Sequence, residues 1–582
     1  MDHKVLNSQP PSTSREGDIH RGTREYARLG CLGVRVKTML VADAIAQILK
    51  QEGVDCLICY PVNPIIEAAA KVDIRTLIVR QERTGLHMAD AISRLSSGQK
   101  LGVFTMQHGP GTENAFGGVA QAYSESVPIL VLPGGYAKRI SHIHPNFNAT
   151  LNFQHVTKHC EPLLAGRDVS EVMRRAFAQL RNGRGGPVMV EVPGDVFGEE
   201  VEELDYRPSF ATRSGPDPDA VVEVAKLLTD AERPVIYAGQ GVHYAQAWDE
   251  LKALAERLNI PVCTSLEGKS SFPENHPLAL GSGGRALPRT VRQFLDDADV
   301  IFGIGVSFTR TGFGVRMPRG KTLIHATLDS RDLDKDLPVD HALIGDAKLT
   351  LQAIIDEVGS TRYSKADARA EATPAAIAEM KQGWLEEWQA KLGSNETPIS
   401  AYRVINDLKN TLDVENTIIT HDAGSPRDQL SPFWESIAPL SYIGWGKTTQ
   451  LGYGLGLAMG AKLVHPDKIC MNVWGDAAIG FTGMDFETAA REQIPILSIL
   501  FNNFSMAIEL PIMQVATEKY RSTDISGNYA DMAKAFGGYG ERVTDPAEIV
   551  PAIQRGVQAN MDGQPALLEF ITSQELSISR GD

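Results

Sequence analysis

Short apolar runs recur along this chain, each followed by a turn and then by a stretch whose apolar positions repeat at helical spacing. Thr76–Arg80, Leu101–Met106, Thr417–Thr420, Lys468–Trp474 and Ile494–Phe501 read as strands. Leu86, Met88, Ala89 and Ile92 give an apolar face to a helix that begins near Arg83. Thr482 and Asp485 fit a capping box and predict a helix from there to about Glu492. Alternation of this kind predicts an α/β protein, built as three doubly wound parallel-sheet domains with helical crossovers.

Composition breaks mark the units. Residues 1–36 are polar and irregular, read as a flexible arm without the apolar core of a signal peptide. The first folded unit is expected over 37–205. A Pro/Gly/Ser-rich linker, Tyr206–Asp219, leads to a central unit over 219–358. A charged, Ala-rich connector with one amphipathic helix, Gly359–Glu396, precedes the third unit, 397–582. The first and third units share a pattern of strand, glycine-containing turn, helix and strand.

Charge and cysteine content narrow the function. The 582 residues carry 72 acidic and 57 basic side chains, a net charge of −15, which argues against a nucleic-acid partner. No apolar window reaches the roughly 18 residues of a membrane span, so a cytoplasmic protein is expected. Cys56 and Cys59 form a lone C-x-x-C, read as two thiols of a buried strand rather than a zinc site.

The chemistry concentrates in the third unit. One strand ends in Gly475-Asp476-Ala477-Ala478, and the next ends in Asn502-Asn503. Parallel strands joined by a crossover have their C-terminal ends on one sheet edge, so Asp476 and Asn503 share an edge although 27 positions apart. A carboxylate and an amide oxygen converging there suit a hard divalent cation that completes its shell with water and phosphate oxygens.

Gly-Asp-x, a gap of about 27 residues, then Asn-Asn resembles the thiamine diphosphate motif. The similarity is to thiamine-diphosphate enzymes of the acetolactate synthase, pyruvate decarboxylase and 2-hydroxyacyl-CoA lyase type, and it covers nearly the whole chain after the arm. It implies thiamine diphosphate and Mg²⁺, with Asp476, the Asn503 side chain and the Ser505 carbonyl on the metal. Gly475, Ala477, Ala478 and the loop Ala423-Gly424-Ser425-Pro426 would then meet the diphosphate. Glu82, in VRQERTGLHMADAISR, resembles the family glutamate that hydrogen-bonds N1′ of the aminopyrimidine and helps generate the cofactor's nucleophile; Gln81 replaces the family's common His. Thr448–Gly454 resembles the segment whose carbonyl, here that of Thr449, accepts from the 4′-amino group. Its bulky apolar residue, here Leu451, wedges the cofactor into a bent shape. Gln107-His108-Gly109-Pro110-Gly111 resembles a loop at the pyrimidine end, with His108 where Ser is common. Gln107, His108 and Asn63 are the expected substrate-side residues.

In the central unit, strands ending in Ala238-Gly239-Gln240-Gly241 and Gly303-Ile304-Gly305 are compatible with a nucleotide. The resemblance leaves open whether the ligand is FAD, another nucleotide or none. The function implied is decarboxylation of a 2-oxo acid with acyl transfer to an acceptor. A 2-hydroxyacyl-CoA lyase or oxalyl-CoA decarboxylase is the alternative, since Gly480–Thr488 is closer to that branch; a non-catalytic regulatory paralogue is the third. The family also implies a homodimer or homotetramer whose sites are shared between chains. Ser141–Asn148 and Tyr60–Pro64 depart from the acetolactate synthase loops, which leaves the substrate open.

Overall fold

The computed structural model describes residues 38–581; the arm expected over 1–36 lies outside them. Three six-stranded sheets, each parallel throughout, follow one another along the chain. The first contains β1 (Cys56–Cys59), β2 (Arg75–Ile78), β3 (Gly102–Met106), β4 (Ile129–Gly135), β5 (His159–Pro162) and β6 (Val188–Pro193), in the order β2-β1-β3-β4-β6-β5. The second contains β7 (Pro234–Ala238), β8 (Val262–Ser265), β9 (Ala279–Gly283), β10 (Val300–Ile304), β11 (Thr322–Thr327) and β12 (His341–Ile344), in the order β9-β8-β7-β10-β11-β12. The third contains β13 (Thr417–His421), β14 (Tyr442–Ile443), β15 (Ile469–Gly475), β16 (Leu497–Asn502), β17 (Tyr539–Val543) and β18 (Ala566–Ile571), in the order β14-β13-β15-β16-β18-β17. The first and third sheets therefore have one topology and the central sheet another. Each has a switch point where the chain reverses its direction across the sheet, and α/β proteins bind ligands at such points. Among the described residues, no helix is long and apolar enough to cross a membrane.

Two helices join the outer units. α1 (Glu82–Leu95) follows β2, and its counterpart in the third unit, α5 (Tyr453–Val464), follows β14. They pack face to face, and their side chains belong to one continuous core. The contact depends on Gly456 and Gly460 of α5. A Cβ on Gly456 would lie 2.5 Å from the Cβ of His87, and one on Gly460 would lie 2.4 Å from the Met88 carbonyl oxygen. A buried polar set locks the register. Arg94 pairs with Asp90 at 2.7 Å and donates to the Gly444 carbonyl at 2.8 Å, and the Tyr453 hydroxyl bonds Asp90.

The expected connector is a helix, α3 (Ser364–Leu392), that is anchored at both ends. Near its start Ala366 enters the central core, and the Arg369 guanidinium donates to the carbonyls of Leu258 and Ala231. Towards its end Trp384 stacks on Phe433 with ring centroids 4.8 Å apart and donates to Ser579.

Two local expectations meet the structure differently. Cys56 and Cys59 both lie in β1, where burial pushes their thiols up to about 11 and about 12. The Thr482–Asp485 capping box does not form. One helix, α6 (Asp476–Thr482), starts at the end of β15 with Thr482 as its last residue, and a second, Phe486–Arg491, covers most of the span expected to about Glu492. The Thr482 hydroxyl donates to the Gly452 carbonyl, and the Asp485 carboxylate accepts the Arg80 N–H from the first unit at 2.7 Å. A tertiary partner has taken Thr482 out of the box, while Asp485 divides its carboxylate between Arg80 and the Thr488 hydroxyl, 2.8 Å away in the helix it precedes.

Alanine at Gly456 or Gly460 should cost about 1–3 kcal/mol each through forced separation of α1 and α5. Alanine at Gly383, inside α3 with nothing within 4 Å of the new Cβ, should stabilise by about 0.5–1 kcal/mol. Thermal melting of the three variants checks the opposite signs.

Candidate active site

The ends of β13, β15 and β16 are neighbours, with His421 beside Val473 and Gly475 beside Phe501. This brings Ala423–Pro426, Asp476 and Asn503 to one edge. Asp476 opens α6 and is buried, at 5% exposure. Its Oδ1 accepts the Ala477 N–H at 2.9 Å, and its Oδ2 accepts the N–H groups of Asn503 and Ser505 at 3.1 and 3.2 Å. The Asn503 Oδ1 accepts the Ser505 N–H at 3.0 Å, so Asn503 and Ser505 form one tight turn that the Asp476 carboxylate holds. The Tyr529 hydroxyl donates to the Asp476 carbonyl at 3.3 Å, a support that the sequence did not indicate.

Among the described residues no cationic side chain pairs with Asp476, and burial pushes its carboxyl up to about 6. The Ser505 hydroxyl beside it is buried without a partner. No cluster of three or more His, Cys, Asp or Glu side chains is placed to hold a metal among those residues. A single desolvated carboxylate with an amide oxygen fits a Mg²⁺ ion whose other ligands are carbonyl, water and phosphate oxygens. Ala423 to Pro426 lead into α4 (Ser425–Phe433), whose first turn carries helix N–H groups suited to an anion.

The second group lies at the edge of the first sheet. Glu82 is the first residue of α1 and only 3% exposed. Burial raises its pKa above the ordinary carboxylate value, hydrogen bonds from its own backbone N–H and from Asn114 work against that, and the Asp485 charge adds a smaller push upward. Gly111, at the start of α2 (Pro110–Ser124), keeps this space open: a Cβ there would lie 3.3 Å from Glu82 Oε1 and 2.9 Å from Gln107 Cγ. His108 is exposed at the same edge, its ring 4.6 Å from that of Tyr136. Asn63 is engaged structurally. It caps a helix through the Ile65 N–H and donates to the carbonyls of Met106 and Leu132. Gln107 accepts the Thr112 hydroxyl on its carbonyl. No hydrogen bond or ion pair among the described residues joins Glu82 to the Asp476 turn.

Thr449 and Leu451 lie in the loop before α5, both half-buried, with Leu451 against the shared core. Neighbouring residues tie this loop to α2: Gln450 donates to the Gly117 carbonyl at 2.6 Å, and Thr448 bonds Gln121 at 2.8 Å. In the central unit, a cavity of about 2060 Å³ opens at the switch point between β7 and β10, lined by Gln240, Gly305, Arg310, Arg316 and Asp329, among others.

Three family models match in order. The thiamine pyrophosphate enzyme N-terminal binding domain matches residues 39–159, the central domain 221–354 and the C-terminal binding domain 422–570. The chain is 29% identical over 560 residues to a probable acetolactate synthase large subunit of Methanocaldococcus jannaschii, covering 91% of each. It is 26% identical over 552 residues to the acetolactate synthase isozyme 3 large subunit of Escherichia coli, covering 89% of this chain and 92% of that one. The large subunit of Corynebacterium glutamicum is 26% identical over 565 residues, with coverage of 93% and 88%.

Mg²⁺ with thiamine diphosphate should raise the melting temperature of the unaltered chain and leave that of Asp476→Ala unchanged. A cation needs the ionised carboxylate, and a proton competes for it. The stabilisation should be full above about pH 7 and weaken as pH falls through 6. Melting scans across that range, with and without Mg²⁺, measure it.

Proposed function

The chain belongs to the thiamine pyrophosphate enzyme family, and from that premise we propose that it is a Mg²⁺-dependent enzyme that decarboxylates a 2-oxo acid and transfers the acyl unit to an acceptor. The observation that carries the reading is the pair of desolvated carboxylates at matching sheet edges. Asp476 is poised for a cation, and Glu82 has a pKa raised towards the working range of a proton-transfer group. Asp476, Asn503 and the Ser505 carbonyl would hold Mg²⁺, and Gly475, Ala477, Ala478 and Ala423–Pro426 would meet the diphosphate. The Thr449 carbonyl and Leu451 would orient the rings, and Glu82 would hold and move the proton at N1′ of the aminopyrimidine. When bound, the cofactor supplies a carbon nucleophile and an electron sink. Gln107 and His108 would face the substrate.

The same family reading makes the active form a homodimer or homotetramer with sites shared between chains. Glu82 and Asp476 lie in different units, and among the described residues no hydrogen bond or ion pair joins the two side chains within one chain. Beside the metal turn, Phe504, Ile512, Val515 and Tyr520 are 40%, 80%, 64% and 78% exposed, an apolar surface suited to a second copy. The central cavity, lined by arginines, supports a second reading in which a phosphate-bearing group, as in a CoA thioester or a flavin nucleotide, binds there.

Release of CO₂ from a panel of 2-oxo acids and acyl-CoA thioesters tests the activity. Release from none of them with thiamine diphosphate and Mg²⁺ bound would overturn it. Glu82→Gln should bind the cofactor within a few-fold of the unaltered chain yet slow hydrogen–deuterium exchange at its C2 by about 100-fold or more. Co-expressed Glu82→Gln and Asp476→Ala chains should regain about a quarter of full activity, because half of randomly paired dimers are mixed and each mixed dimer has one intact site. No recovery in confirmed mixed dimers would put both residues in one chain's site.

A further inference from the structure

The loop that carries Thr449 and Leu451 is gripped from both sides by buried acceptors, and one of them has no counterpart in the sequence reading. Asp422 directly follows β13 and is fully buried. Its Oδ1 accepts the N–H groups of Ala423 at 2.8 Å and Gly452 at 2.9 Å, and its Oδ2 accepts that of Gly454 at 3.0 Å. No cationic side chain pairs with it among the described residues. Gly452 has φ +86°, and a Cβ there would lie 2.8 Å from both Phe481 Cβ and Thr482 Oγ1. The Gly452 carbonyl accepts the Thr482 hydroxyl at 2.7 Å, so the turn is fixed from above and below. On the upstream side, Glu125 of the first unit accepts the N–H groups of Gly446 and Lys447 at 3.2 and 2.9 Å.

We propose that Asp422 is a positioning residue, tying the diphosphate-receiving turn to the turn that presents Leu451 and the Thr449 carbonyl, so that the ring-gripping loop is shaped before any ligand arrives. The inference rests on the family reading given above. One carboxylate bridges the two turns, so displacement of either is felt by the other. Its ionised form is costly at this depth, which burial expresses by pushing the carboxyl up to about 7 against three N–H donors. A cofactor bound to a loop already in shape gives up less ordering free energy than one that must shape it.

Two variants test this in the intact chain. Asp422→Asn keeps the size but turns an N–H donor towards the Gly454 N–H. Thr482→Val is isosteric and leaves the Gly452 carbonyl unpartnered. Affinity for Mg²⁺ with inorganic diphosphate, which probes only the diphosphate half, should stay within about twofold in both. Hydrogen–deuterium exchange at C2 of the saturating bound cofactor should fall about tenfold or more in Asp422→Asn and about threefold in Thr482→Val, the scale of one lost buried hydrogen bond. Exchange at the unaltered rate in both variants overturns the proposal. So does a parallel loss of melting temperature and diphosphate affinity with normal exchange, which marks a purely structural residue. Failure of the unaltered chain to bind thiamine diphosphate would overturn the family reading itself, a result distinct from either.

Discussion

Everything at the candidate site depends on how closely α1 and α5 approach. Two glycines one turn apart let the Met88 carbonyl and the His87 Cβ sit where side chains would otherwise stand. That proximity fuses the cores of the first and third units, although more than 350 residues separate the helices in sequence. It also fixes the start of α1, and with it Glu82. The Asp90–Arg94–Tyr453 set then selects one register, because any slip would take Tyr453 and the Gly444 carbonyl away from the buried Asp90–Arg94 pair.

The site is a collection of desolvated acids. Glu82, Asp476, Asp422 and Glu125 are all buried, and burial raises each carboxyl above its ordinary range. They are met in different ways. Asp422 and Glu125 receive backbone N–H groups and hold a loop. Asp476 receives N–H groups yet retains the negative charge a cation would neutralise. Glu82 accepts from its own backbone N–H and from Asn114, and lies beside Gly111. In the proposed function, environment alone would assign chemically identical groups to scaffold, metal and proton-transfer roles.

Much of this was legible because strand ends are marked in sequence. Gly475-Asp476 and Asn502-Asn503 close apolar runs, so their meeting on one edge follows from parallel topology. The shared strand order of the first and third units was foreshadowed by their common strand–turn–helix pattern. Asp422 was not recognised, although an acid directly after the strand Thr417–Thr420 and before Ala423-Gly424 was the available signal. Its partners are backbone N–H groups 30 and 32 residues away, which no side-chain pattern records. The capping box misled on where the helix starts for a related reason: Gly452 claims Thr482 from outside the segment, and the helix begins after Asp485 instead. Asn63, a helix cap spanning two strands, shows that the loop after β1 is shaped first by backbone demands.

Helix α3 bears on how the molecule comes apart. A helix of 29 residues, about 43 Å long at 1.5 Å per residue, has Ala366 and Arg369 seated in the central unit and Trp384 and Leu392 in the third. Neither unit can open fully without exposing one end of it, and a frayed end withdraws apolar surface from the other. The central and third units are thereby bound into a single cooperative melting block, and the first joins them through the shared core at α1. Partial unfolding that frees the central unit alone is disfavoured, and proteolysis should find its first openings in surface loops rather than between units.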